Sequence, residues 1–191
     1  MKFELKGKLL TFFGFTRMPF VKEVSTGDIF PTEMSNSLPG MLDFGLTTED
    51  IMLVYGEVGC GKSVALRLFM ESLDTSRYAA VYIKCGGIYP AHLYQAILLG
   101  LKIEPAFRLH AVKRQYEKYV GELNKKPVIV LDDAQDLSDE ALCEIKHLVS
   151  FEADSKHRVC VVLSGQIELS EKLSFSLFSA LAQRIRLQHN V

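Results

Sequence analysis

Gly56-Glu57-Val58-Gly59-Cys60-Gly61-Lys62-Ser63 has the spacing G-x-x-x-x-G-K-[ST], and its flanks decide how it is read. The apolar run Ile51-Met52-Leu53-Val54-Tyr55 comes directly before it, and a helix-like stretch, Ser63 to Leu73, follows. A glycine-rich turn between a buried strand and a helix is built to hold phosphate. The glycines let backbone N–H groups curl around anionic oxygens, and the helix points its partly positive N-terminus at them. The expected binding residues are therefore Gly56, Glu57, Val58, Gly59, Cys60, Gly61, Lys62, Ser63 and Val64. Lys62 is expected to reach the β- and γ-phosphates of a nucleoside triphosphate, and the Ser63 hydroxyl to bind Mg²⁺.

Downstream, Val128-Ile129-Val130-Leu131-Asp132-Asp133 reads as a buried strand ending in two acids, where a parallel sheet presents its ligand-binding edge. This is a Walker B pattern. Asp132 is expected to hold the Mg²⁺ ion, directly or through water, and Asp133 to polarise the attacking water. Further strands are expected at Ala79 to Lys84, Val159 to Leu163 and, more weakly, Arg184 to Leu187. Helical patterns fall at Ala91 to Leu99, Ala106 to Leu123, Asp139 to Phe151 and Ile167 to Leu181. Strands alternating with helices predict a three-layer α/β domain of the P-loop type with a parallel five-stranded sheet.

The strand at Val159 to Leu163 ends in Ser164-Gly165-Gln166. A polar residue at that tip is placed to contact the γ-phosphate or the lytic water, and Ser164 and Gln166 both qualify. Near the end of the chain, Arg184 and Arg186 flank the start of the last strand. An arginine there is either solvated or offered to a neighbouring subunit's phosphate, where it has a large effect on phosphoryl transfer.

The first fifty residues carry a different texture: Phe12-Phe13-Gly14-Phe15, Met18-Pro19-Phe20, Pro31, and a loose helical pattern from Glu33 to Phe44. They predict an extended arm and one helix, residues 1–48, packed on a nucleotide-binding core, residues 49–191, in a single domain. The arm's aromatics either pack on the core or line an adenine pocket.

With 191 residues, nearly half of them apolar, the chain suits one core and not two. A net charge of −1 gives only a weak global field to draw nucleic acid, so any DNA contact has to come from a local patch or from assembly of several copies. The candidate is Arg108, His110, Lys113, Arg114, Lys118, Lys125 and Lys126, interrupted by Glu117 and Glu122. Cys60, Cys85, Cys143 and Cys160 lack C-x-x-C pairing, and the histidines lack metal-ligand spacing, which argues against a zinc site or disulfide framework. No apolar run approaches the ~20 residues that span a bilayer, so no membrane contact and a cytoplasmic setting are expected.

These motifs together resemble AAA+ ATPases of the ExeA type, similar to transposon-encoded ATP-dependent regulators of transposition. The resemblance rests on Phe12 to Phe20, the phosphate loop, Leu131-Asp132-Asp133-Ala134-Gln135-Asp136-Leu137-Ser138, Gly165-Gln166-Ile167-Glu168-Leu169 and Leu181-Ala182-Gln183-Arg184-Ile185. It implies sheet order 5-1-4-3-2, ATP and Mg²⁺ as cofactors, nucleotide between subunits of a ring or filament, and Arg184 as the arginine finger. The implied function is an ATP-dependent regulator of DNA transposition that oligomerises with ATP, binds DNA and recruits a transposase or targeting protein. An ExeA-type ATPase of a secretion or envelope-assembly system is the alternative, as is a nucleotide-switched scaffold with little turnover. Two departures bear on this. Asp133 stands where the family carries glutamate, which implies slow hydrolysis, and the sequence stops where such ATPases continue into a helical lid.

Overall fold

Alternation along three apolar runs explains why the sheet sits between two layers. Strands β1 (Ile51–Tyr55), β2 (Tyr78–Lys84), β3 (Lys126–Asp132), β4 (Cys160–Gly165) and β5 (Ile185–Asn190) form one sheet of order β2-β3-β4-β1-β5 in the computed structural model. Every neighbouring pair is parallel. This is the expected order, and the strands fall within a few residues of their expected places. Ile51, Leu53, Ile129, Leu131, Val161 and Leu163 face one layer. Met52, Val54, Val128, Val130, Cys160 and Val162 face the other. Both faces of the central strands are apolar because both are covered.

The structure describes residues 2–16, 18, 26–30, 32–48, 51–151 and 158–191. Helices α1 (Lys2–Phe13), α2 (Glu33–Thr48), α3 (Lys62–Ser72), α4 (Pro90–Gly100), α5 (Leu109–Glu122), α6 (Asp139–Val149), α7 (Ile167–Leu173) and α8 (Ser179–Ala182) accompany the strands. Contacts divide the chain into two units, Met1–Pro31 and Thr32–Val191. The core unit thus starts at Thr32, not at 49, because α2 belongs to it: Leu38, Leu42 and Leu46, one helical stripe, are buried with Leu66 and Phe69 of α3 against the sheet. The other layer packs Leu93 and Ile97 of α4, Val112 and Tyr116 of α5, and Leu142 and Ile145 of α6.

Phe69 is fully buried among these side chains. Phe69→Ala is expected to cost about 3–5 kcal/mol, from lost burial plus the cavity left behind. Urea unfolding measures it, and a loss under about 1 kcal/mol would mean this layer collapses around the gap.

Two expected elements differ. The first residues are a helix, α1, and not an extended arm. Lys, Leu and Glu favour helix more than the aromatic run opposes it, and Gly14 at φ 64 closes the helix, with the Phe15 N–H donating to Leu10 O at 2.9 Å. Within this unit the Phe12 and Phe13 rings meet edge-on at 4.9 Å, and Phe13 stacks on Phe15 at 5.5 Å. Arg17, Pro19, Phe20 and Pro31 lie outside the described residues. The helix expected over Ile167 to Leu181 is broken into α7, a 3₁₀ turn at Ser176–Phe178, and α8. The Ser174 hydroxyl donates back to Glu171 O at 2.6 Å, giving the backbone an alternative to continuing the helix.

Candidate nucleotide-binding site

The phosphate loop leaves β1 at Gly56 and enters α3 at Lys62. Gly59 and Gly61 stand at φ 84 and φ 98, left-handed conformations in which a side chain is strained, so the glycine spacing follows from the path of the turn. No side chain caps α3, whose N-cap is Gly61, so its first N–H groups face the loop's interior. The Lys62 amine curls into that interior and donates to Gly56 O at 2.9 Å, Glu57 O at 2.8 Å and Cys60 Sγ at 3.4 Å. A cleft of about 310 Å³ opens over the loop, lined by Gly59, Gly61, Lys62, Ser63, Asp133 and Gln166 among others.

Beneath the cleft Asp132 is nearly fully buried at the end of β3. Its Oδ2 accepts from Ser63 Oγ at 2.8 Å and Tyr82 Oη at 2.6 Å, and its Oδ1 from Ser164 Oγ at 2.7 Å and the Asp133 N–H at 3.2 Å. Burial on its own raises the Asp132 carboxyl's pKa, yet the hydroxyls of Tyr82, Ser164 and Ser63 outweigh it and hold the group below the ordinary carboxylate value. The carboxylate is therefore a fixed anion at neutral pH. For Tyr82 the effect runs the other way: burial first, then the hydrogen bond to Asp132, push the phenol well above its usual range.

The next residue, Asp133, takes φ 55, a left-handed conformation that aspartate tolerates better than most residues. This turns its carboxylate toward the cleft, while Lys84 Nζ, at the end of β2, stands 3.5 Å away.

A family profile described as "AAA domain" matches residues 46–173. The chain belongs to the AAA domain family. General secretion pathway protein A of Aeromonas hydrophila is 28% identical over 187 residues, covering 94% of this chain and 34% of that protein. Among solved structures, Cdc6p of Pyrobaculum aerophilum aligns with TM-score 0.66 and 20% identity over 86% of this chain and 49% of that one. The ORC1 protein of Aeropyrum pernix, solved in complex with DNA, aligns with TM-score 0.66 and 19% identity, covering 88% and 47%. The chain thus spans about a third of the curated relative and about half of these structures. At these identities the structural likeness shows the fold alone.

Within the AAA domain the two strand-tip candidates separate. Ser164 is 0% exposed and donates to Asp132, so it braces the Walker B acid from within and does not face the cleft, contrary to one of the two expectations. Gln166 lines the cleft, and its N–H donates to Gln135 Oε1 at 3.2 Å, tying the β4 tip to the turn after β3. Arg184 is not brought to this site. Ile185 pairs with Ile51 at the start of β1 and Asn190 with Tyr55 at its end, so Arg184 sits at the opposite sheet edge, roughly 15 Å from the loop.

The basic stretch does not form one free face. Lys113 pairs with Glu144 at 2.7 Å, and Lys126 donates to Leu46 O at 2.8 Å. Arg108, His110, Arg114, Lys118 and Lys125 remain exposed.

Among the described residues no group of three or more His, Cys, Asp or Glu is gathered to hold a metal. The donor set that does occur, one hydroxyl against one buried carboxylate, fits Mg²⁺, which typically takes one or two protein oxygens and completes its shell with phosphates and water. Tyr82 and Lys84 are site residues that no motif indicates, and Gln135, though inside the run Leu131 to Ser138, has no role assigned by that pattern. The signal for the first two lay in the alternation of β2, which buries Val81 and Ile83 and turns Tyr82 and Lys84 to the opposite face near the ligand-binding edge. Among the described residues no helix is long and apolar enough to cross a membrane.

Proposed function

We propose that this AAA domain binds ATP with Mg²⁺ and hydrolyses it, using nucleotide state to drive assembly with further copies of itself. The observation that carries the proposal is the Ser63–Asp132 hydrogen bond at 2.8 Å beneath a phosphate loop into which Lys62 is already folded. Lys62 exchanges its carbonyl partners for β- and γ-phosphate oxygens, and the free N–H groups at the start of α3 take the others. Ser63 and Asp132 hold the cation, which when bound neutralises charge developing on the phosphates. Asp133 orients and accepts a proton from the attacking water, Gln166 positions that water or the γ-phosphate, and Arg184 acts on the site of a neighbouring copy. A lone copy is then a slow enzyme, since Arg184 is remote from its own loop.

We place the domain in a secretion or envelope-assembly system, on the strength of its likeness to general secretion pathway protein A along nearly the whole of this chain. A regulator of DNA transposition that recruits a transposase is the second reading, favoured by the exposed Arg108, Arg114, Lys118 and Lys125. Sedimentation and DNA binding, each without nucleotide, with ADP and with a non-hydrolysable ATP analogue, test both readings. Assembly driven by the analogue without DNA supports the first. Assembly that requires DNA and weakens steeply with salt transfers the proposal to the second. A chain that stays monomeric in every state overturns the shared premise.

A further inference from the structure

We propose that the Tyr82 hydroxyl is a place-holder on Asp132, occupying the acceptor position that the hydration shell of an arriving Mg²⁺ ion takes over. This rests on the reading of Ser63 and Asp132 as the cation-binding pair. A carboxylate offers about four acceptor positions over its two oxygens. On Asp132 all four are filled, by Ser164 Oγ and the Asp133 N–H on Oδ1 and by Ser63 Oγ and Tyr82 Oη on Oδ2. Water carried in by a cation has to displace one of them to reach the carboxylate.

The four donors are not equally free to leave. Ser164 is fully buried, and losing its partner would strand a hydroxyl away from water. The Asp133 N–H is fixed by the backbone turn at φ 55. Ser63 stands in the first turn of α3 and is itself the hydroxyl that meets the cation. Tyr82 is 46% exposed and lies on β2, an edge strand of the sheet, so of the four donors it is the one whose side chain has room to turn from the carboxylate to solvent. Its 2.6 Å contact is also the shortest of the four, in the range of charge-assisted O–H···O⁻ bonds. Tyr82 therefore keeps the carboxylate anionic and aimed at Ser63 before nucleotide arrives, and it sets a threshold that the cation has to overcome. It is a positioning residue, acting through Asp132.

The chain has seven tyrosines and no tryptophan, so tyrosine emission is directly readable, and a phenol bonded to a carboxylate emits weakly. Mg²⁺ is titrated into the full chain holding a non-hydrolysable ATP analogue, in wild type and Tyr82→Phe, with analogue affinity in EDTA and thermal unfolding measured alongside. The expected result is an emission rise in wild type that Tyr82→Phe lacks, and a Mg²⁺ midpoint lowered roughly three- to tenfold in the variant. Analogue affinity in EDTA is expected to match, and the thermal unfolding temperature to fall by no more than about 2–4 °C, the loss of one hydrogen bond. A midpoint unchanged or raised in a folded Tyr82→Phe overturns the place-holder role while leaving the nucleotide site standing. If wild type binds no analogue with or without Mg²⁺, the reading of the site falls and the inference falls with it.

Discussion

Lys62→Ala is expected to weaken ATP binding by roughly a hundredfold or more, with the fold intact. In the proposed role Lys62 bonds two phosphates, so its removal takes away two hydrogen bonds to charged groups, each worth about 1.5–3 kcal/mol. The geometry makes this side chain hard to replace. Its amine already sits inside the loop, held by Gly56 O and Glu57 O, so little conformational freedom remains to be lost when phosphate arrives. Neighbouring cations do not substitute: Lys84 is engaged with Asp133, and Arg184 lies at the far sheet edge. The core does not depend on Lys62, because α3 is anchored by Ala65, Leu66 and Phe69. Titration calorimetry with Mg²⁺-ATP measures the loss, and circular dichroism checks the fold. A change under about threefold would mean that the backbone N–H groups alone carry the phosphate, and the proposed role of Lys62 would be wrong.

The central sheet was readable because β1, β3 and β4 are buried on both faces and therefore appear as unbroken apolar runs. The two outer strands carry mixed signals for a physical reason: β5 runs Ile-Arg-Leu-Gln-His-Asn, four of its six residues polar because it lies at an edge, and it extends to Asn190, beyond the Leu187 limit read from pattern. At the site, residues fixed by local chemistry were legible. The loop glycines, Lys62, Ser63 and Asp132 sit where their spacing places them. What spacing does not carry is which neighbour a strand acquires. Tyr82 reaches Asp132 across fifty positions because β2 pairs with β3 in the register Lys84–Asp132. Likewise, alternation alone does not decide whether Ser164 or Gln166 faces the cleft, because the strand ends between them at Gly165. The α1 region was misread because clustered phenylalanines suggest a loop seeking a core, whereas here they pack on one another around a helix end.

Asp133→Asn is expected to leave ATP binding within about threefold of wild type and to lower turnover by roughly 10²–10⁴-fold, the usual range for a lost general base. Binding is expected to survive because the proposed cation ligands are Ser63 and Asp132, and asparagine keeps both the size of the side chain and its tolerance of φ 55. The ion pair with Lys84 sharpens the test. Lys84 is largely exposed, so the pair adds little to stability, but it holds the Asp133 carboxylate toward β2 and so away from the water it has to reach. Lys84→Ala is thus expected to raise turnover modestly, by about two- to fivefold, in the presence of Asp133 and to do nothing in the Asp133→Asn background. Steady-state ATPase assays on the two single variants and the double variant read this coupling. If Asp133→Asn turns over as fast as wild type, this acid is not the base, and a scaffold switched by nucleotide binding alone displaces the hydrolytic reading. If Lys84→Ala slows turnover instead, the lysine orients the carboxylate, and the short aspartate side chain depends on it to reach the water.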